Sequence, residues 1–490
     1  MKYKLFIDGQ WVEHSAQEYF PAINPFTQDA WASIPQASDE QVIAAIDAAR
    51  HAFDTVWSKT SGLARGMLMM RLADLLEADA QRMGELETTD NGKVIRETAT
   101  QMKMSARAYR FFAGAADKLE GKAFPLDSPN ILDYAKREPL GVAILITAWN
   151  SPMALLSNKL APALAAGCTV VIKPSEHASV TTLEFAKLVE KAGFPKGVIN
   201  VVTGDYRVGK CLVNSRRVDK ISFTGSPGVA REIAADAGRR LTPVTLELGG
   251  KSPNIIFEKA DIEKATVGAF AGIFGATGQT CIAGSRLLVQ DSVYDDVVSR
   301  LVAKAGKIIL GNPLDYKTEM GTLANQPQFN RVMNCISRGI EEGARLAYGG
   351  QQATGPELGN GLFVQPTIFR DVDNSMQLAR EEIFGPVLSV IPFSTEAQAI
   401  EIANDTDYGL AAGIWTTEID QALRVSDAIR AGCIWVNTYR ASAMQAPFGG
   451  FKDSGFGRER SLWALDEYLA PKNVMIDYSG AERDPFAIKS

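Results

Sequence analysis

The chain has 490 residues, 46% hydrophobic and 22% charged, enough for two or three domains with ordinary globular cores. A net charge of -6 gives it no electrostatic attraction to nucleic acid or to anionic membranes. Five cysteines, an odd number without a CxxC pair, exclude a disulfide framework and a cysteine-based zinc site, and the three histidines (His14, His51, His177) restrict the choice of catalytic base.

No apolar run approaches the length of a membrane span. The opening MKYKLFIDGQWVEH is broken at Asp8 and Gly9, too early for a secretory leader. It reads as strand, turn and strand, with the cytoplasm as the default compartment. Residues 39–57 space Val42, Ile46, Ala49 and Phe53 at helical intervals behind a Ser38 cap. Residues 63–118 read as mostly helical, interrupted at Gly92 and Gly114. From residue 141 short apolar runs at 142–147, 169–173, 198–202 and 220–224 alternate with helices near 154–166, 178–192 and 206–215. Such alternation implies a parallel sheet whose strand ends form the ligand edge. A second series begins near 252, with strands at 253–257, 286–290, 387–393 and 433–437, so a boundary falls near Gly249 and Gly250. Strands at 131–140 and 471–478 fit neither series and are free to pair with each other or with another subunit.

Five segments carry chemistry. TAWNSP at 147–152 ends a strand with Asn150, either a capping asparagine or an amide donor for an oxyanion. IKPSE at 172–176 places Lys173 and Glu176 at the ligand edge, where an acid can accept from an adenosine ribose. FTGSPGVA at 223–230 is a strand, turn and helix whose Gly225 and Ser226 can face a pyrophosphate, although a plain glycine-rich turn would look the same. TLELGGK at 245–251 brings Glu247, flanked by leucines, into a double glycine. It is either a solvated turn carboxylate or a general base whose pKa is raised by an apolar setting. GATGQTCIAG at 275–284 follows a helical run from Ile262 to Phe274 and sets Cys281 among glycines. A lone cysteine is usually a small buried hydrophobe, and that reading serves Cys168, Cys211, Cys335 and Cys433. Cys281 departs from it because of its flexible neighbours and because of Glu247. No histidine falls in these motifs, which disfavours a Cys-His hydrolase.

Together and in this order, with EEIFGPV at 381–387, NDTDYGLAAGIWT at 404–416, PFGGFKDSG at 447–455 and GRE at 457–459, these segments resemble the aldehyde dehydrogenase superfamily. The resemblance implies an α/β protein with a Rossmann-like NAD-binding domain (1–121 and 141–249), an α/β catalytic domain (250–460) and a small β oligomerisation element (122–140 and 461–490). It assigns Cys281 as nucleophile, Glu247 as base and Asn150 as oxyanion donor. Ile146, Trp149, Lys173, Ser175, Glu176, Gly209, Gly225, Ser226, Leu248, Glu382 and Phe384 become the cofactor positions. Ser151, Asn158, Thr280, Arg440, Ser442 and Phe448 become substrate positions, and Glu459 lies on a water and proton path. No metal is implied.

The implied activity is NAD-dependent oxidation of an aldehyde to an acid through a cysteine thioester, in a homodimer or homotetramer without nucleic-acid or membrane partners. Two alternatives stay open: a CoA-acylating relative, and a non-catalytic structural protein on the same fold. The chain departs from the family at Ala230, often glycine in the phosphate turn. Ser151, Asn158 and Ser442 replace rings common in relatives acting on apolar aldehydes. Arg440 lies in the same stretch, so a polar or anionic substrate is expected, a phosphate-bearing one among the possibilities.

Overall fold

The computed structural model describes residues 1–13, 18–480 and 486. His14 and most of the tail beyond 480, the end of the expected oligomerisation element, lie outside the described residues. The first apolar stretch forms a hairpin, Leu5–Ile7 with Gln10–Val12, turned at Asp8 and Gly9, both with positive φ. Positive φ at both central positions is the turn geometry that matches strand twist.

The first series makes one eight-stranded sheet. Its parallel centre runs Ile199–Val201, Thr169–Lys173, Val142–Ile146, Lys220–Thr224, Val244–Glu247. Val142–Ile146 is buried along its whole length, as an unbroken apolar run in a sheet covered on both faces must be. Its valine, leucine and isoleucine side chains each contribute about 1.5–3 kcal/mol of burial. Helices Asp39–Thr55 and Tyr206–Asn214 cover one face; Pro152–Ala166 and Val180–Ala192 cover the other. The second series makes a seven-stranded sheet containing Pro253–Ile256, Arg286–Gln290, Val387–Phe393 and Cys433–Val436. Gly455–Phe456 returns from that side of the chain to pair antiparallel with Val244–Glu247, which ties the two sheets together behind Glu247.

Three strands of the seven-stranded sheet escaped the sequence reading. Ala411–Trp415 is buried between neighbours yet opens with Ala, Ala and Gly, which carry little strand signal and leave only Ile414 and Trp415 to announce it. Its Gly413 has no room for a side chain, since a Cβ there would stand 2.4 Å from Asn254 Oδ1 and 2.5 Å from the Tyr439 ring. Thr367–Arg370 and Arg345–Tyr348 are only four residues each. The helical stretch 63–118 divides three ways, into Gly62–Ala78, Ala80–Asn91 and Ile95–Ala113. The break at Asp79 has no glycine or proline to announce it, while Gly92 ends the second helix with φ 74°. The two strands outside both series pair with each other, Leu469–Asp477 antiparallel to Ile131–Pro139 over nine positions.

The short helix Ala80–Asn91 has a positioning task. Glu87 Oε2 accepts from the Met153 amide at 3.3 Å, and Asp90 Oδ2 from the Val180 amide at 3.0 Å. Acids at helix N-termini satisfy otherwise orphaned donors and favour the helix dipole. Asn91 Nδ2 donates to the Trp149 carbonyl at 3.2 Å, so the loop carrying Asn150 is held from below.

Candidate active site

Where the parallel strands of the first sheet end, a cleft of about 710 Å³ opens. Eight of the expected cofactor residues line it: Ile146, Trp149, Lys173, Ser175, Glu176, Gly209, Gly225 and Ser226. Helix Pro227–Gly238 starts there with Ser226 at its cap, yet the serine side chain does not bond the helix start. Its first amides are left free for an anionic group such as a pyrophosphate. Lys173 is buried, its ammonium 3.1 Å from the Pro174 carbonyl and 3.7 Å from the Glu176 carboxylate. Burial lowers its pKa, and a hydrogen-bonding ribose would give the charged form more partners. Room, anion site and edge carboxylate together fit a dinucleotide.

At the inner end the Trp149 ring meets Phe384 edge-on, with centroids 5.3 Å apart. Glu382 Oε1 accepts from the Gly250 amide at 3.1 Å, and burial pushes the carboxyl up to about 7. The double glycine after Glu247 now has a physical reason. A Cβ on Gly249 would stand 1.9 Å from a Glu382 oxygen, and one on Gly250 would stand 2.8 Å from the Cys281 carbonyl oxygen. Leu248 is buried beside them.

The Cys281 loop is held in an unusual shape. Ala276 and Thr277 adopt left-handed φ of 54° and 56°, at a cost of about 1–2 kcal/mol each. Gly278 passes so close to Gly385 that a Cβ would meet its carbonyl oxygen at 2.0 Å. Gln279 anchors the loop by accepting from the Ala324 amide at 2.9 Å and donating to the Thr322 carbonyl at 3.3 Å. Asn150 Nδ2 donates to the Gln279 carbonyl at 2.9 Å, which turns the amide toward the cysteine loop and leaves its second hydrogen free. Cys281 is half-buried, and the protein around its thiol pushes the pKa up to about 12; Glu382 and Glu247 oppose ionisation further, and Arg460 eases it.

Glu247 ends its strand fully enclosed. Both carboxyl oxygens lack a hydrogen-bond partner, and burial, reinforced by Glu459, holds its pKa well above the usual carboxylate range. Glu459 is itself buried against Lys159 at 2.5 Å, and Lys159 also reaches Ser222 Oγ at 3.2 Å. The expected path residue thus stands next to the expected base, with a buried lysine completing the chain.

The expected substrate residues divide between a helix and two loops. Ser151 and Asn158 are seven positions apart on Pro152–Ala166, with Ser151 at its cap. Ser151 Oγ accepts from buried Lys93 at 2.6 Å. Thr280 adjoins the cysteine. Phe448 is tied by two backbone bonds of 2.8 Å to Glu459, and Ser442 Oγ accepts from Arg460 at 2.8 Å. Arg440, left-handed at φ 62°, donates to the Ala271 carbonyl at 3.4 Å and packs on Gly275.

A sequence profile described as the aldehyde dehydrogenase family matches residues 11–474. The chain belongs to the aldehyde dehydrogenase family. A dehydrogenase of (Z)-2-((N-methylformamido)methylene)-5-hydroxybutyrolactone from Acinetobacter baylyi is 45% identical, with all of each chain covered. A Staphylococcus aureus betaine aldehyde dehydrogenase solved with NAD+ superposes with a TM-score of 0.97 at 38% identity, covering 99% of each chain. The NAD+ complex of a Bacillus cereus aldehyde dehydrogenase superposes with a TM-score of 0.95 at 41% identity, covering 98% of this chain and 97% of that one.

Four residues of the enzyme's site were missed in the sequence: Lys159, Lys93, Gln279 and Arg460. Lys159 and Lys93 lie in helical or loop sequence in which a single lysine carries no burial signal. Gln279 lies inside a motif already singled out, and only its two-sided amide bonding distinguishes it. Arg460 directly follows the matched GRE segment and was passed over. No helix among the described residues is long and apolar enough to cross a membrane, and among them no cluster of potential metal ligands occurs.

Proposed function

We propose that the enzyme oxidises a polar or anionic aldehyde to the carboxylic acid, with NAD as cofactor and Cys281 as the covalent nucleophile. The observation that carries the reading is an enclosed Glu247 carboxyl without a hydrogen-bond partner, near enough to Cys281 for its charge to bear on the thiol. Glu247 takes the thiol proton. The sulfur then adds to the aldehyde carbon, and the new oxyanion is received by the free hydrogen of Asn150 and the Cys281 amide. NAD, when bound, would supply the hydride acceptor; Trp149 and Phe384 would hold its nicotinamide end, Glu382 the adjoining ribose, and Lys173 and Glu176 the adenosine ribose. Loss of hydride leaves an acyl thioester on Cys281. Glu247, once its proton has passed to the Glu459 carboxylate that Lys159 holds, removes a proton from water. The hydroxide attacks the thioester, the C–S bond breaks, and acid and thiolate are released.

Hydrolysis is preferred to transfer onto CoA because Glu247 is present as a base, and catalysis to a purely structural role because Cys281 and Glu247 both stand in the site. Polar groups at Ser151, Asn158 and Ser442 favour a polar substrate: each serine accepts from a neighbouring cation and keeps its own hydroxyl hydrogen to donate. The test is NADH absorbance with a panel of aldehydes, with and without CoA. Acid formation independent of CoA is expected; strict dependence on CoA, or no turnover with any aldehyde, would overturn the reading.

The same reading divides the chain into a cofactor domain (1–121 and 141–249), a catalytic domain (250–460) and an oligomerisation element (122–140 and 461–490), in a cytoplasmic protein. The three-stranded sheet of that element exposes Phe124, Leu132, Met475 and Ile476, apolar surface that a dimer or tetramer would cover. A monomer by light scattering at micromolar concentration would remove this part.

A further inference from the structure

Four cations lie on or against the loops of the expected site, and three of them are held by a backbone carbonyl or an acid. Lys93 donates to Ser151 and Gln101 and faces Glu87 at 4.0 Å. Arg458 donates to the carbonyls of Gly450 and Gly457 at 3.1 and 2.7 Å. Arg440 lies on Gly275, donating to Ala271, with Glu97 close by. Arg460 differs. Its guanidinium lies over the Phe448 ring, 4.7 Å from the centroid, and makes one side-chain hydrogen bond, to the Ser442 hydroxyl. Its Nε is buried without a partner, and among the described residues no carboxylate lies within ion-pair distance of it. The nearest acids in the site are otherwise occupied: Glu459 is paired with Lys159, and Glu247 is held toward its neutral form. An uncompensated guanidinium with spare donors, in reach of the electrostatic field at both Cys281 and Glu247, is a site for an anion.

We propose that Arg460, assisted by Ser442, reads the far end of the substrate, binding a carboxylate carried by the aldehyde and rejecting cationic aldehydes. The proposal rests on the reading of Cys281 as the nucleophile. A planar guanidinium offers two parallel donors to the two carboxylate oxygens, and Ser442 is left to donate its own hydroxyl hydrogen. Phe448 holds the guanidinium plane, so little side-chain entropy remains to be lost on binding. A trimethylammonium group in the same place would meet like charge in a partly desolvated site. The structurally similar betaine aldehyde dehydrogenase would then differ from this enzyme in the sign of charge preferred at the tunnel end.

Two measurements test this. The first compares kcat/KM for succinic semialdehyde, butanal and betaine aldehyde in the wild type, Arg460→Gln, Arg460→Lys and Arg440→Gln. The expected order in the wild type is succinic semialdehyde, butanal, betaine aldehyde. Arg460→Gln is expected to lower the ratio of the first to the second by at least about tenfold, and Arg460→Lys to restore part of it. Arg440→Gln should move that ratio less than Arg460→Gln does. A purely structural Arg460 would change all three substrates alike. The second measurement does not need turnover: Cys281 alkylation by iodoacetate and iodoacetamide, followed by peptide mass mapping. Arg460→Gln should lower the iodoacetate-to-iodoacetamide rate ratio several-fold. An unchanged alkylation ratio, an unchanged substrate ratio, or a wild-type preference for betaine aldehyde would overturn the proposal. No turnover with any aldehyde, but an intact alkylation difference, would sink the dehydrogenase reading and leave the anion site standing.

Discussion

The cofactor cleft and the substrate side of the site are built by different means. The cleft is made where parallel strands stop: Ile146, Lys173 and Gly225 follow directly from Val142–Ile146, Thr169–Lys173 and Lys220–Thr224. A regular sheet decides where those residues go, so a short motif at a strand end is enough to place them. The substrate side is made of loops, 275–284, 439–448 and 458–461, whose shapes depend on left-handed residues such as Ala276, Thr277, Arg440 and Arg460. Non-glycine residues reveal no such preference in sequence; surrounding packing imposes it. The rigid half therefore positions its residues by regular sheet geometry, and the irregular half, Cys281 included, by packing between distant segments.

The sharpest way to break the comparison is at the one point where both halves meet. Cys281→Ser should lower dehydrogenase turnover by on the order of a thousandfold or more, because an alcohol is a far weaker nucleophile than a thiolate. NAD binding, which belongs to the cleft, should survive. NADH production near the wild-type rate would show that the loop cysteine is not the nucleophile.

Glu247→Gln should cost on the order of 10²–10⁴-fold in turnover, with acyl-enzyme visible by intact mass. Its pKa is raised by burial, so the carboxylate that accepts a proton appears only as pH increases. Wild-type deacylation should rise as pH increases, and the variant should lose that limb. The same shift predicts an opposite effect on stability. A carboxyl with a raised folded pKa contributes stability that is complete below its unfolded value and lost as pH rises through the folded one. Glutamine, always neutral, escapes that loss, so the variant should gain melting temperature over the wild type as pH rises. A flat difference between the two melting curves across pH would contradict the buried-carboxyl account.

Gly249→Ala sharpens the boundary between the halves. Its methyl would stand 1.9 Å from a Glu382 oxygen, displacing the residue expected to hold the nicotinamide ribose. A shift of this size at a positioning residue can cost up to ~100-fold, and it should fall on NAD affinity and turnover together. An unchanged KM for NAD would mean that Glu382 is free to move away without consequence.

Much of this division was legible in the sequence. Thr169–Lys173, Lys220–Thr224, Arg286–Gln290 and Val387–Phe393 were readable to the residue because each is short and rich in β-branched and apolar residues. Ala411–Trp415 was not, because its burial comes from neighbours rather than from its own small residues. Cys281, Glu247 and Asn150 were recognisable from short motifs, whereas Lys159 and Arg460 depend on contacts with segments distant in the chain. Their partners, Glu459 and Ser442, were named without any sign of what they would touch.

The smallest effect lies at the outer end of the cleft, where cofactor choice is set. Glu176 is part-exposed and faces the buried ammonium of Lys173 at 3.7 Å. A ribose with free hydroxyls can donate to the Glu176 carboxylate, while a 2′-phosphate would be repelled by it and attracted by Lys173. The two charges oppose each other at nearly one place, so NAD should be favoured over NADP only modestly. Solvent reaches the carboxylate, which limits its repulsion to about 1 kcal/mol, or roughly fivefold in relative kcat/KM. Glu176→Gln should remove that repulsion, keep a hydrogen-bond acceptor for the ribose, and leave Lys173 to act alone on the phosphate. The ratio of kcat/KM for NADP to that for NAD should then rise about fivefold, with little change in the NAD value itself. A ratio that stays constant would mean that the phosphate avoids both side chains, and that the edge of the first sheet does not set the choice.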